Sequence, residues 1–275
     1  MDSHNVYWTT STDLSSGGIV MKVSRDGGAA TTLALGPANP TGIALDPLNV
    51  YWVVGAGIAE SGAIMKVPLS GGTPLAIVSG ESSLGERIGI DAASVYWTRA
   101  EGAIMKTLLD GTETTMLSAG SWRPTYIAVD ANSVYWTTDC EGAGDGGGSV
   151  MKVSLQGGAP TTIASRQSCP TAIAVGTTHV YWGTLTASKT GPGTVKRATL
   201  DGGEVKTLAS GSVAALGLAV VKDWVYWVAG SGGVVRMPID GGTPVVLSSC
   251  RGVAEQLVAL GDREIYWLDT YQMMF

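Results

Sequence analysis

The stretch Tyr126-Ile127-Ala128-Val129-Asp130-Ala131-Asn132-Ser133-Val134-Tyr135-Trp136-Thr137-Thr138 decides the fold. It reads as a strand of small apolar residues, a tight turn opened by Asp130, and a second strand built on Val-Tyr-Trp. β-Branched and aromatic residues of this kind fit a pleated, half-buried surface. The same core recurs at Val6-Tyr7-Trp8, Val50-Tyr51-Trp52, Val95-Tyr96-Trp97, Val180-Tyr181-Trp182, Val225-Tyr226-Trp227 and Ile265-Tyr266-Trp267. Successive tryptophans stand 44, 45, 39, 46, 45 and 40 residues apart. That spacing, ~40–45 residues, is the length of one four-stranded propeller blade.

The remainder of each period supplies four strands. After the aromatic strand (B) comes a second (C), seen in Ile19-Val20-Met21-Lys22-Val23, Ile64-Met65-Lys66-Val67, Ile104-Met105-Lys106 and Val150-Met151-Lys152-Val153. A hairpin signal follows, such as Asp26-Gly27-Gly28, Asp110-Gly111 or Asp240-Gly241-Gly242, where glycine supplies the positive φ of a tight turn. A third strand (D) reads Thr161-Thr162-Ile163-Ala164, and a fourth (A) reads Ile127-Ala128-Val129-Asp130, whose small residues suit a crowded inner position. No segment keeps a 3.6-residue apolar period over a helix length, so the chain is all-β. Residues 1–275 are expected to form a single β-propeller domain of four-stranded antiparallel blades.

Composition agrees. The chain has 39 glycines among 275 residues, roughly double the usual ~7%, with 9 Trp, 9 Tyr and one Phe. Seven Trp and seven Tyr belong to the repeated core, which makes them packing residues between blades. The net charge of -6 offers no basic footprint for nucleic acid or anionic lipid, and no apolar run is long enough to cross a membrane. The start has no signal peptide, but a secreted chain trimmed of its signal reads the same way. A secreted or cell-surface location is expected if a signal was removed, and the Met1 start and Phe275 end fit a module cut from a larger surface protein.

The Tyr-Trp-Thr core and the Ile-Ala-Val-Asp strand resemble the YWTD-type (LDL-receptor class B) and NHL-like β-propellers over essentially the whole chain. The fourth letter departs from the family name, since only Trp267-Leu268-Asp269 carries Asp there; Thr10, Val54, Arg99, Thr138, Thr184 and Ala229 fill the place elsewhere. The resemblance implies a propeller and a habit of binding protein or glycan. It carries over no catalytic residue, because the matched positions are the family's packing residues. Seven blades are favoured, as both terminal copies keep the full aromatic core and Tyr271-Gln272-Met273-Met274-Phe275 offers a short last C strand. Six is the alternative, with 257–262 completing the first blade. In either case pairing of the termini is expected to close the ring.

Function is expected on loops held by the repeated wall. The A–B turns and C–D hairpins are short and alike, whereas the B–C and D–A loops at the other end vary. To that end the sequence assigns Arg87, Arg123, Arg166 and Arg251 in D–A loops, Arg99 at the start of a B–C loop, and Lys189. Trp122 and Tyr126 flank Arg123. The acids Asp13, Glu60, Glu81, Glu86, Glu101, Asp139, Glu141, Asp145 and Glu255 share it. Aromatic faces beside arginine hold a sugar ring or peptide by stacking and bidentate hydrogen bonds. The candidate ligand-binding set is Arg99, Trp122, Arg123, Tyr126, Glu141, Arg166 and Arg251, weighed against the bland reading of solvated loop charges. Cys140 and Cys169 flank the same blade and are a candidate disulfide, weighed against two free thiols; Cys250 is expected to be unpaired.

The expected function is non-enzymatic recognition of a glycan, peptide or protein by a monomer, with no cofactor. The alternative is a propeller hydrolase or lyase using carboxylates of this end with Ca²⁺, for which 139–148 supplies acids and glycines without a recognised calcium spacing. His4 and His179, the only histidines, lie in A–B turns at the opposite end, which disfavours lyases and Ser-His-Asp hydrolases. The repeated Lys22, Lys66, Lys106 and Lys152 read as outward-pointing residues near the rim that cover apolar surface with their stems.

Overall fold

The computed structural model describes residues 2, 4–11, 17–36, 40–55, 61–120, 123–140, 147–186, 192–213, 215–229, 233–249, 254–260 and 264–269. Lys189, Cys250 and Tyr271 to Phe275 lie outside this set. The strands are β1 (Asn5–Ser11), β2 (Gly18–Ser24) and β3 (Thr31–Gly36); β4 (Pro40–Leu45), β5 (Asn49–Val54), β6 (Gly62–Pro68) and β7 (Leu75–Glu81); and β8 (Leu84–Ile90), β9 (Ser94–Arg99), β10 (Ile104–Leu108) and β11 (Thr114–Ser118). The fourth repeat has β12 (Pro124–Val129), β13 (Ser133–Thr138), β14 (Gly148–Ser154) and β15 (Thr161–Gln167). The fifth has β16 (Pro170–Val175), β17 (His179–Thr184), β18 (Pro192–Thr199) and β19 (Lys206–Val213). The sixth has β20 (Ala215–Val221), β21 (Trp224–Ala229), β22 (Gly233–Pro238) and β23 (Val245–Ser249), and β24 (Ala254–Leu260) and β25 (Glu264–Asp269) end the series.

The fold is an all-β propeller of four-stranded antiparallel blades. Repeats two, three, five and six each form a sheet in the order A, B, C, D, while β1-β2-β3 has no inner strand among the described residues. Two compact units divide the chain, Met1–Asn132 with Leu155–Gly158, and Ser133–Ser154 with Ala159–Phe275. The sequence favours seven blades; the structure has six. Among the described residues β24 and β25 pair only with each other, a two-stranded ribbon without the outer strands of a complete blade.

The aromatic strand is the core of each blade. Trp52, Trp97, Trp136, Trp182 and Trp227 are all fully buried, as are Tyr51, Tyr96, Tyr135 and Tyr181. Trp and Met share one sheet face and Tyr and Lys the other, because Trp52 pairs with Met65 and Tyr51 with Lys66 across the B–C ladder. Every C–D ladder slips by a residue next to the same place, between Val20 and Met21, Ile64 and Met65, Ile104 and Met105, Val150 and Met151, Val195 and Lys196, and Val234 and Val235. A bulge at one site in each blade sharpens the twist of the outer strand.

Two polar straps complete the repeat. At the A–B turns, Asp46 Oδ1 accepts the Leu48 and Asn49 amides while its Oδ2 accepts the Tyr51 hydroxyl at 2.7 Å. Asp91 does the same for Ala93, Ser94 and Tyr96, and Asp2 for His4, Asn5 and Tyr7. Burial raises these carboxyl pKa values, but the hydrogen bonds outweigh it, so Asp46 and Asp91 are held below the ordinary value and Asp2 at about 2. The second strap corrects the reading of the repeated lysines. Lys22 Nζ donates to the Leu69 carbonyl, Lys66 to Leu109 and Lys152 to Leu200, each at 2.7 Å, and Arg197 donates to Ile239. Each cation therefore ties its blade to the C–D turn of the next. A backbone carbonyl within reach is a better partner than water for an ammonium whose stem is already packed.

Candidate functional site

The A strands place the most unusual side chains. Ile43, Ile88, Ile173 and Leu218 are matched positions, since each pairs with the tryptophan of its own B strand. The residue before each is Gly42, Arg87, Ala172 or Gly217, and in the fourth repeat it is Tyr126. Space explains the small ones: a Cβ on Gly42 would stand 2.8 Å from Arg87 Cα and 2.5 Å from the Glu86 carbonyl oxygen. Arg87 and Tyr126 are thus large residues at a position held by Gly or Ala in the second, fifth and sixth repeats and by Gln256 in β24. They meet each other, with the Arg87 guanidinium 5.3 Å from the Tyr126 ring centroid, a cation–π distance.

The turn joining β7 to β8 is only Ser82-Ser83, and the B–C connection of the third repeat folds beside it. Arg99 grips Glu81 in a bidentate pair, Nε to Oε2 at 2.9 Å and Nη2 to Oε1 at 2.6 Å. Its guanidinium also lies 5.3 Å from the Trp97 ring centroid. Ser83 Oγ donates to the Glu101 carboxylate at 2.6 Å. The Ser83 hydrogen bond holds the Glu101 pKa below its ordinary value, and the Glu81 hydrogen bond raises that of Arg99. Both groups are fixed charges over the physiological range.

Of the residues singled out in the sequence, Arg99 is committed to Glu81, Tyr126 lies against Arg87, and Arg123 immediately precedes β12 with φ 33°. These belong to the first unit. Arg166 belongs to the second; it is exposed and holds φ 54° where Gly80 and Gly211 hold 80° and 79° in their own D strands. Trp122, Glu141 and Arg251 lie outside the described residues. Arg87 and Arg166 were assigned to D–A loops, but the structure puts them inside β8 and β15, because the strands run further towards this end than the turn residues imply. The sequence signal for Arg87 was its place in an inner strand of small residues.

Beside Arg166, Cys140 and Cys169 form a disulfide with Cα atoms 4.8 Å apart, packed with Leu185 against Leu216. The bridge ties the B–C connection after β13 to the D–A connection before β16. Among the described residues no group of three His, Cys, Asp or Glu could hold a metal ion, and most of the acidic, glycine-rich 139–148 segment lies outside them. No helix among the described residues is long and apolar enough to cross a membrane.

Comparison with family models and with curated proteins gives no match. Among solved structures, the chain is similar to the nidogen/laminin complex, with TM-score 0.62, 19% identity, and coverage of 86% of this chain and 89% of that one. It is also similar to TolB from Acinetobacter baumannii (TM-score 0.62, 14% identity, 87% and 62% covered). An oligogalacturonate lyase in complex with manganese matches at TM-score 0.65 and 12% identity, with 90% and 74% covered. At these identities the likeness shows the propeller fold and nothing finer.

Proposed function

We propose that this chain is a recognition module that binds a protein, peptide or glycan partner through the B–C and D–A end, with the stacked Arg87–Tyr126 pair at the centre of the contact. The observation that carries the reading is the replacement of Gly or Ala by Arg and Tyr at one matched inner-strand position, in two successive repeats. Nothing in the packing of the blade calls for a cation there, whereas a guanidinium braced on an aromatic face is pre-organised to take a carboxylate or a polar ring edge. Arg99, Trp122 and Arg123 are assigned to the same contact, and Arg166, Glu141 and Arg251 to recognition by the second unit. The nidogen/laminin likeness, between binding proteins, is in keeping with a protein partner.

The carboxylates favour binding over catalysis. A glycosidase acid needs a carboxyl with a raised pKa, yet Glu101 is held low by Ser83 and Glu81 is occupied by Arg99. Screening the chain on glycan and peptide arrays beside Trp122→Ala and Tyr126→Ala tests the proposal. The expected result is a defined ligand set for the wild type whose signals fall at least about tenfold in the variants. Ligands that bind all three chains equally would overturn it.

A further inference from the structure

One D strand of the second unit carries an arginine where other repeats place glycine. Val78, Ser118, Ala164 and Ala209 are matched residues of the C–D ladders, facing Ile64, Ile104, Val150 and Val195. Two residues beyond them stand Gly80, Gly120 and Gly211, with φ of 80°, 83° and 79°, and in the fourth repeat Arg166, exposed and with φ 54°. In that left-handed region the Cβ of any residue but glycine crowds the following carbonyl oxygen, and the common exceptions are asparagine and aspartate, not arginine. Such strain persists only where the surroundings hold it, and it gathers at ligand clamps and active sites.

The surroundings do hold it. Gln167 is buried beside Arg166 and turns its side chain back, so that Nε2 donates to the Ser165 carbonyl at 2.7 Å. That carbonyl belongs to the peptide leading into Arg166, so the bond opposes the rotation by which a left-handed residue would relax. Gln167 Oε1 is anchored in turn, accepting Trp182 Nε1 at 3.3 Å and Lys196 Nζ at 3.1 Å. Lys196 faces Trp182 in the B–C ladder, the place of Met21, Met65, Met105 and Met151 against their own tryptophans. Two residues past Gln167, Cys169 also has a positive φ, 31°, and is fixed by the disulfide to Cys140 and by its carbonyl, which accepts the Leu185 amide at 3.0 Å. The backbone on both sides of Arg166 is thus locked, while its side chain stands at the surface.

We propose that Arg166 is the specificity-determining residue of the second unit, taking an Asp or Glu carboxylate of a peptide or protein partner, with Gln167 as the residue that positions it. The inference rests on the reading that the B–C and D–A end recognises a partner. A guanidinium carried on a fixed backbone takes a carboxylate through two parallel hydrogen bonds and leaves less to be ordered on binding. Trp182, the aromatic residue of the frame, is fully buried and offers no ring face for a sugar to stack on, which favours an acidic side chain over a glycan. Glycine at this place would relieve the strain and remove the cation together, so stability and recognition should move in opposite directions.

The test is an array of peptides containing Asp or Glu, each beside its Asn or Gln counterpart, together with galacturonate oligosaccharides, probed with the full chain and with Arg166→Gly and Gln167→Ala. The wild type is expected to favour acidic members over their amide counterparts at least about tenfold. That ratio should fall to near one in Arg166→Gly, and at least about threefold in folded Gln167→Ala, which keeps the cation but frees the peptide before it. Arg166→Gly should melt at or above the wild-type temperature, because glycine adopts the left-handed conformation without strain. A ratio unchanged in Arg166→Gly, or a melting point several degrees lower, would overturn the inference and leave the reading of the Arg87–Tyr126 pair standing. Binding confined to the galacturonate oligosaccharides would equally overturn it, and a wild type that binds no array member would overturn both.

Discussion

Individual side chains in this repeat differ in one measurable respect, the partner of a buried polar atom. Trp97 Nε1 donates to Thr107 Oγ1 at 3.0 Å, whereas Trp136 Nε1, equally buried, has no partner. Changing Trp97 to Phe removes this bond, with Thr107 Oγ1 keeping Thr114 Oγ1 as a partner at 3.0 Å, and is expected to cost up to about 1 kcal/mol more than Trp136→Phe in chemical unfolding. The Asp–Tyr strap gives a pH dependence of definite sign. The lowered carboxyl pKa values of Asp2, Asp46 and Asp91 mean that the unfolded chain takes up protons first as pH falls. Their contribution is fully present above the ordinary value of 3.8 and is lost as pH drops towards about 2, the folded value for Asp2. Acid unfolding followed by tryptophan emission should therefore show stability declining through that window. Asp91→Asn should be less stable at neutral pH and lose less on acidification; an unchanged acid profile would count against the strap.

Strands and turns were the most legible level. The Val-Tyr-Trp spacing and the Asp-Gly or Gly-Gly turns gave the strand pattern because both signals are local and repeated. The straps were hidden, since a lysine that recurs every 40 to 46 residues reads as a surface stripe until the next blade's carbonyl stands beside it. Arg87 was read as a loop charge because a two-residue turn at Ser82-Ser83 carries no proline or glycine to mark the strand's start. The turn glycines can be told apart only in three dimensions. Gly27 and Gly111 both have positive φ, 88° and 81°, but a Cβ on Gly111 would meet Ile77 Cα at 3.1 Å while one on Gly27 meets nothing within 4 Å. Gly27→Ala should cost about 1 kcal/mol from the backbone alone, and Gly111→Ala distinctly more. Equal losses in thermal melts would show that the hairpins do not press on the preceding blade.

Across the molecule the same aromatic core recurs, with its tryptophan fully buried in the second to sixth blades and half-buried at Trp8 in the first, so composition that identifies the fold says little about the ligand. Blade number was misread from the sequence because the last aromatic strand has the residues of a blade's centre, whereas its sheet has two strands among the described residues. The disulfide adds a constraint between two connections at the variable end of the second unit, closing a separation of 29 residues. Reducing it, or making Cys140→Ser with Cys169→Ser, is expected to lower stability by roughly 2–4 kcal/mol. Far-UV circular dichroism should be retained in that double variant, since no strand depends on the bridge for its ladder. The central claim is that recognition runs through the Arg87–Tyr126 pair. A double-mutant cycle of Arg87→Ala and Tyr126→Ala, measured by calorimetric titration with the strongest array ligand, tests it most directly. The account predicts that each single change weakens binding at least about tenfold and that the two couple by about 1 kcal/mol, as a stacked cation and ring should. Binding left intact by both substitutions in a folded chain would contradict it.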